Sequence, residues 1–247
     1  MPFFESQGVR LHFQTFGNPT GEPVLLLHGF ASDLELNWVG SGWVDALVKS
    51  GRLVAALDFR GHGQSDKPHR AIDYDRIVMA ADVGFFLQHL GLTSADVIGY
   101  SMGAQIALRL LIESQPKVDH AVLGGYDGSP RIQTAAIARR LRSAQPDSDP
   151  AIEHFHRFAA SRANNDLEAL ACCIEGHHQT PSAAEVAQVS RPVLVVAGDQ
   201  DPLAHAASKF AARLARARFI SLPGRDHMRA VVSKDFRRAT IEFLAEP

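Results

Sequence analysis

The chain has 247 residues, 46% of them hydrophobic, which is enough for one or two globular domains with a large buried core. Its 25 basic and 27 acidic side chains give a formal net charge of −2, which provides no broad positive field for a nucleic acid. Apolar runs such as Val24–Leu27 and Val193–Ala197 are far shorter than the roughly 20 residues that span a bilayer, so no membrane-spanning segment is expected.

In chain order, the first segment, residues 1–5, lacks the basic and apolar regions of a secretory signal. The two cysteines, Cys172 and Cys173, are adjacent, which suits neither a zinc site nor a framework of disulfides. Together these features predict a cytoplasmic protein with reduced thiols, and nothing in the sequence calls for a metal or another cofactor.

Alternating apolar and polar residues from Val9 to Thr15, preceded by Gln7-Gly8, predict an antiparallel edge hairpin. Further along, short and continuously apolar segments bounded by Gly, Pro or Asp predict buried parallel strands. These segments are Val24–Leu27, Leu53–Leu57, Asp96–Tyr100, His120–Gly124, Val193–Ala197 and Arg218–Leu222. Between most of them the apolar spacing is that of amphipathic helices. The alternation predicts an α/β fold, with a mostly parallel central sheet flanked by helices.

Residues 125–187 interrupt this alternation, because they contain no convincing strand. They predict short helices at Arg131–Ala144, Ala151–Ala163 and Asp166–Glu175, separated by prolines. We therefore expect residues 125–187 to form a helical insertion, a small cap over one end of the sheet. Residues 1–124 and 188–247 would form the core.

The sharpest motif is Gly99-Tyr100-Ser101-Met102-Gly103, which lies where a predicted strand gives way to a predicted helix. In that setting a G-x-S-x-G sequence predicts a nucleophile elbow. The glycines permit a very tight turn, and the serine hydroxyl is presented above the strand ends. Ser101 is therefore the predicted nucleophile, and the alternative is a merely structural glycine turn.

A serine hydroxyl needs a base to remove its proton, and the base needs an acid that holds its tautomer. Asp201 and His227 each follow a predicted strand, and both are expected at the same sheet edge as Ser101. The chain order Ser, Asp, His is that of this elbow class. We predict a catalytic triad of Ser101, His227 and Asp201.

Two other carboxylates compete with Asp201 for the role of the acid. Asp199 lies two residues earlier and is expected to brace the turn, whereas Pro202 marks the point where the chain leaves the strand. Asp127 follows the strand that ends at Gly124, and it stays open as an alternative acid.

Acyl transfer also needs two hydrogen-bond donors for the developing oxyanion. One is predicted to be the amide of Met102, at the start of the helix. The second is predicted to be the amide of Phe30, in the segment His28-Gly29-Phe30, where glycine allows a close approach of the backbone. His28 is expected to fix this loop by hydrogen bonding and to have no chemical role.

These motifs and the segment Asp58–Asp66 occur in an order that resembles the α/β-hydrolase superfamily over essentially the whole chain. Within it the sequence is similar to small serine carboxylesterases, lactonases and cofactor-free haloperoxidases. The resemblance implies that Asp58–Asp66 is a structural loop beside the site. It also implies that the helical insertion roofs the acyl pocket.

Side chains of the helical insertion suggest how that pocket is built. Tyr126, Phe155 and Phe158 are predicted to line it, although they serve equally well as the core of the insertion. Its arginines are typical of a solvated helix face, and the alternative is a docking surface for an acidic carrier protein or an anionic substrate. They are Arg131, Arg139, Arg140, Arg142, Arg157 and Arg162. The pairs His154/His156 and His177/His178 lack the arrangement of a metal site.

The sequence thus predicts a serine hydrolase that cleaves carboxylic esters of small to medium acyl groups through an acyl-enzyme. Serine at the elbow argues against the dehalogenases and epoxide hydrolases of similar fold, which use a carboxylate there. Two alternatives remain: a lyase or carbon–carbon hydrolase of the same fold, and a non-catalytic ligand receptor.

Overall fold

The computed structural model describes residues 2–130, 133–176 and 179–246. The strands in these ranges are β1 (Phe3–Ser6), β2 (Val9–Gly17), β3 (Pro23–Leu27), β4 (Leu53–Leu57), β5 (Ala95–Tyr100), β6 (Val118–Gly124), β7 (Val193–Gly198) and β8 (Ala217–Leu222). They form an eight-stranded sheet in the order β1-β2-β4-β3-β5-β6-β7-β8. Every pairing from β4 to β8 is parallel, so the predicted α/β fold is confirmed.

The α-helices alternate with these strands. They are α1 (Trp43–Lys49), α2 (Arg76–His89), α3 (Met102–Ser114), α4 (Thr134–Arg142), α5 (Pro150–Ala160), α6 (Leu167–Glu175), α7 (Ala183–Ala187), α8 (Ala207–Ala211), α9 (His227–Val231) and α10 (Lys234–Leu244). Short turns of 3₁₀- or π-helix cover Glu35–Val39, Ala71–Tyr74 and Gln115–Lys117. None of the helices described is long and apolar enough to cross a membrane.

The N-terminal strands β1 and β2 form the predicted antiparallel hairpin, and β2 continues along β4 in the antiparallel direction. Gln7 and Gly8 both have positive φ, as a two-residue turn that matches the twist of the strands requires. The hairpin lies at one side of the sheet, whereas β5, β7 and β8, which precede the predicted site residues, lie toward the other side.

The central strands are continuously apolar because both faces of the sheet are covered. Leu25 and Val97 belong to an apolar cluster on one face, whereas their chain neighbours Leu26 and Ile98 belong to a cluster on the other. Successive side chains of a strand point to opposite faces, so a sheet buried on both sides needs apolar residues at every position.

Between β6 and β7 the chain is helical, as predicted, with α4, α5 and α6 each shorter than the corresponding sequence pattern. Their facing side chains form a separate apolar cluster. Its members include Ile137, Leu141, Ile152, Ala159, Leu170 and Ala171, and also Ala31 from the core. Helix α7 was not predicted; it begins with a capping box formed by Ser182 and Glu185. The division of the chain at residues 125 and 187 stays a prediction.

The loop from Asp58 to Asp66 is organised by one buried carboxylate. Asp58 accepts hydrogen bonds from the backbone amides of Leu34 (2.8 Å) and Gln64 (2.9 Å). A Cβ atom on Gly63 would lie 2.2 Å from the carboxylate, so only glycine fits there. This loop borders the segment that carries Phe30, and its contacts are those of a structural element.

His62 in this loop predicts a loss of stability in acid. Its Nδ1 lies 2.9 Å from the carbonyl oxygen of Arg60, and burial lowers its pKa to about 3. As the pH falls below about 6.5, the imidazole of His62 is protonated in the unfolded chain but stays neutral in the folded protein. The free energy of unfolding therefore decreases progressively down to about pH 3. The loss attributable to His62 is about 2 kcal/mol at pH 5 relative to pH 7.

Urea unfolding at pH 7 and pH 5 measures this loss. His62→Asn keeps a donor near the Arg60 carbonyl but has no titrating group. Between pH 7 and pH 5 its free energy of unfolding is therefore expected to decrease by about 2 kcal/mol less than that of the unaltered protein. His154→Asn, at an exposed position on α5, serves as the control and should keep the original pH dependence. An equal loss in all three proteins would contradict the assignment.

Candidate active site

Ser101 occupies the turn between β5 and α3 in a strained backbone conformation, with φ 54° and ψ −109°. Two close contacts explain the flanking glycines. A Cβ atom on Gly103 would lie 1.9 Å from the carbonyl oxygen of Leu27, and one on Gly99 would lie 2.4 Å from the carbonyl oxygen of Gly103. The strand, the strained serine and the helix have the geometry of a nucleophile elbow.

The predicted base and acid are in contact. His227 is the first residue of α9, after β8, and its Nδ1 lies 2.7 Å from Oδ2 of Asp201, in the loop after β7. The Asp201 side chain is fully buried, and the second oxygen accepts a hydrogen bond from the Leu203 amide at 2.8 Å. With Nδ1 directed at the carboxylate, Nε2 is the nitrogen that can accept a proton.

Tyr100 fixes His227 beside the elbow. Its hydroxyl donates to the backbone carbonyl of His227 at 2.5 Å, and the two rings lie 5.2 Å apart. Burial raises the pKa of Tyr100 well above its ordinary value, so the hydroxyl stays a donor. Sequence reasoning missed this role, because the motif leaves the residue before the serine unspecified and only the fold brings His227 to it.

The two competing carboxylates have other partners. Asp199 accepts a hydrogen bond from the Gly224 amide at 2.7 Å, so it braces the turn as expected. Asp127 accepts hydrogen bonds from the amides of Ser129 (3.0 Å) and Ala206 (3.2 Å). Among the three carboxylates, it is Asp201 that contacts the imidazole of His227.

The two predicted oxyanion donors belong to segments next to Ser101. Met102 is the first residue of α3, where helical amides have no partner in their own helix. Phe30 lies in a tight turn closed by a hydrogen bond from the Ser32 amide to the Gly29 carbonyl at 3.3 Å. A Cβ atom on Gly29 would lie 3.6 Å from Cβ of Ser101, so this turn passes close to the serine. Within the described residues, the Phe30 amide donates a hydrogen bond to no protein group.

Buried side chains hold this turn from the core side. Nδ1 of His28 donates to the Gly29 carbonyl at 2.7 Å, while its Nε2 accepts from the Phe59 amide at 3.0 Å. Burial lowers the pKa of His28, which keeps the ring neutral and able to do both. The amide of Gly29 donates to Oδ1 of Asn37 at 3.0 Å, a contact with no signal in the sequence. His28 therefore has the loop-fixing contacts expected of it.

The predicted pocket residues have contacts of two kinds. Tyr126 is buried with its ring 5.5 Å from that of Phe210, and it borders a small cleft together with Arg76 and Gln105. Phe155 and Phe158 are half-buried and pack against the apolar cluster of the helical insertion. Their contacts therefore fit the core of the insertion, the alternative recognised in the sequence.

Three arginines of the helical insertion have carboxylate partners. Arg140 pairs with Glu153, and Arg162 pairs with Asp33. Arg142 contacts Glu168 at 2.9 Å and Glu175 at 2.5 Å. Arg131, His177 and His178 lie outside the described residues. Elsewhere in the described chain, no group of three His, Cys, Asp or Glu side chains could hold a metal ion.

Comparison with known proteins defines the family. Residues 22–148, just over half of the chain, match the family described as alpha/beta hydrolase fold. The chain belongs to this family, as the resemblance of its motifs implied.

Individual relatives extend the match over nearly all of the chain. A non-heme chloroperoxidase from Streptomyces lividans is 28% identical over an alignment that covers 90% of this chain and 91% of that protein. The structure of a hydrolase from Pseudomonas aeruginosa superposes with a TM-score of 0.84 at 23% identity, over 99% of this chain and 98% of the other. The enol-lactonase from Burkholderia xenovorans gives 0.83 at 21% identity, over 99% and 100%.

Other curated relatives are longer proteins, and the chain matches only 18–59% of their length. Among them are two epoxide hydrolases of vertebrates. The family is therefore established, whereas the relatives differ in the reactions for which they are named.

Proposed function

We propose that this chain is a serine hydrolase that cleaves carboxylic esters of small to medium acyl groups. The observation that carries the proposal is the contact between Asp201 and His227, held by Tyr100 next to the strained serine of the elbow. A fully buried carboxylate is costly unless it is paired and hydrogen-bonded, and Asp201 has both His227 and the Leu203 amide as partners. A histidine held in this way beside a serine is the arrangement that activates a hydroxyl nucleophile.

In the proposed reaction, Oγ of Ser101 attacks the ester carbonyl while Nε2 of His227 takes the hydroxyl proton. The carbonyl oxygen becomes an oxyanion, which the amides of Phe30 and Met102 would stabilise. His227 then protonates the leaving alcohol, which departs and leaves the acyl group on Ser101. Water then attacks the acyl-enzyme while Nε2 of His227 takes a proton from it. His227 gives this proton to Oγ of Ser101 as the acid leaves, which restores the serine.

The relatives support an ester or a lactone as the substrate. A lactone is a cyclic ester, so one acyl-enzyme route serves both, and a structural neighbour is named as an enol-lactonase. Serine at the elbow also separates this chain from relatives named as epoxide hydrolases. We further propose that the helical insertion roofs the acyl site and that Tyr126, Phe155 and Phe158 contribute to the pocket.

A panel of p-nitrophenyl esters of increasing acyl length, with lactones and methyl esters beside it, tests the function. We expect turnover that is fastest for short or medium acyl groups. Bound esters that are retained without release of alcohol or acid would indicate a ligand receptor instead.

A fluorophosphonate probe provides a second test that needs no substrate. It is expected to add one phosphonyl group to the intact protein, at Ser101 alone, because only an activated serine reacts. Modification of another residue, found by peptide mass spectrometry, would show that this residue and not Ser101 is the nucleophile. An unreactive protein would contradict the serine-hydrolase mechanism.

A further inference from the structure

The turn that carries Phe30 contains a strained residue. Ala31 has a φ of 55°, in the left-handed region that is unfavourable for a residue with a side chain. Ala31 is fully buried and belongs to the apolar cluster of α4, α5 and α6, which also contains Ile152 and Leu170. A core loop beside Ser101 is therefore packed against the helical insertion.

One side-chain amide ties this turn to the insertion. Nδ2 of Asn165, between α5 and α6, donates to the carbonyl oxygen of Ala31 at 3.1 Å. The same nitrogen donates to the carbonyl oxygen of Ala159 at 2.9 Å, near the end of α5. Both hydrogens of the amide are thus used, one on each side of the boundary between core and insertion.

A second link lies three residues away from Asn165 in the sequence. The guanidinium of Arg162 pairs with the carboxylate of Asp33, whose other oxygen accepts from the Leu36 amide at 2.7 Å. The Asp33 side chain is only 9% exposed, so this ion pair is largely shielded from water. The turn is consequently held by the core through His28 and Asn37, and by the insertion through Asn165 and Arg162.

We propose that Asn165 is a positioning residue for the oxyanion hole. Its hydrogen bond holds the Ala31 carbonyl, at the strained end of the turn. The other end is held by His28 and the Ser32 amide at the Gly29 carbonyl, which lies in the same peptide plane as the Phe30 N–H, so the two ends together set the direction of that donor. The inference rests on the proposed function. Without Nδ2 the turn relaxes, and the donor no longer points at the oxyanion, which exists only during reaction.

Asn165→Ala is therefore expected to lower kcat about tenfold with KM changed less than about twofold, because a displaced donor weakens only transition-state binding. Asn165→Asp should cost more, since a carboxylate would face two carbonyl oxygens. The acid limb of the pH profile should not move, because the pair of His227 and Asp201 is untouched. Asn164→Ala, at the exposed neighbouring asparagine, is the matched control and should behave as the unaltered protein.

Hydrogen–deuterium exchange gives a readout that does not depend on activity. Amides of residues 28–34 should exchange faster in Asn165→Ala, and not in Asn164→Ala, with the rest of the chain unchanged. If the unaltered protein hydrolyses no ester, the proposed function fails, and exchange alone decides the role of Asn165. Equal exchange and equal kcat in the two variants would overturn the proposal, as would faster exchange throughout the chain, which would indicate a general structural role.

Discussion

Ser101→Ala is expected to lower kcat for any ester that the protein hydrolyses by roughly 10⁴-fold or more, because only binding and oxyanion stabilisation then remain. The fold should persist, since the serine side chain is small and the strained backbone is enforced by the packing of Gly99 and Gly103. Steady-state kinetics on the best p-nitrophenyl ester, with circular dichroism of the same sample, measures both effects.

The control for this variant is Ser208→Ala, which removes the same hydroxyl group at an exposed position of α8, more than 100 residues after Ser101. It should retain full activity. A folded Ser101→Ala protein with activity near that of the control would end the serine-hydrolase proposal.

Asp201→Asn is expected to cost roughly 10⁴-fold in kcat, the size found for this change in a serine protease. An asparagine amide directed at Nδ1 of His227 favours the tautomer with a proton on Nε2, and that nitrogen can then no longer take the proton of Ser101. The buried position of Asp201, where Leu203 also donates to it, keeps the new side chain in place.

Asp127→Asn tests the alternative acid under the same conditions. It should have a far smaller effect, because Asp127 receives hydrogen bonds from the amides of Ser129 and Ala206 and not from His227. If the two variants behaved in the opposite way, the acid would lie after β6 and the assignment of Asp201 would be wrong.

The sheet was predictable because burial on both faces leaves a local signal in every central strand. The start of a strand was less predictable where its first residues are set by a neighbouring strand. Strand β6 begins at Val118, two residues before the prediction, because the buried Val118 pairs with Ala95 of β5. That pairing partner lies in another segment of the chain and cannot be read from the residues around Val118.

The site residues were predictable for a different reason. Ser101, Asp201 and His227 each follow a strand, and the ends of parallel strands meet at one edge of a sheet whatever the intervening chain does. Asn165 had no such signal. Its contact with Ala31 joins residues 134 positions apart. The sequence of the helical insertion gives no rule for where its helices lie relative to the strands, so this contact could not be predicted. Helix α7, with five residues, is too short for a helical repeat to be recognised.

The contact between Gly103 and Leu27 has a consequence for how such a chain can acquire new substrates. At Gly103 the helix after the serine and the strand that leads into the Phe30 turn approach through backbone atoms, with no room for a methyl group between them. A side chain at this position would force the nucleophile and the turn apart, so their spacing cannot be adjusted by substitution there. We expect changes of substrate range to arise at other positions, such as those of the helical insertion, where side chains can be exchanged without touching that contact.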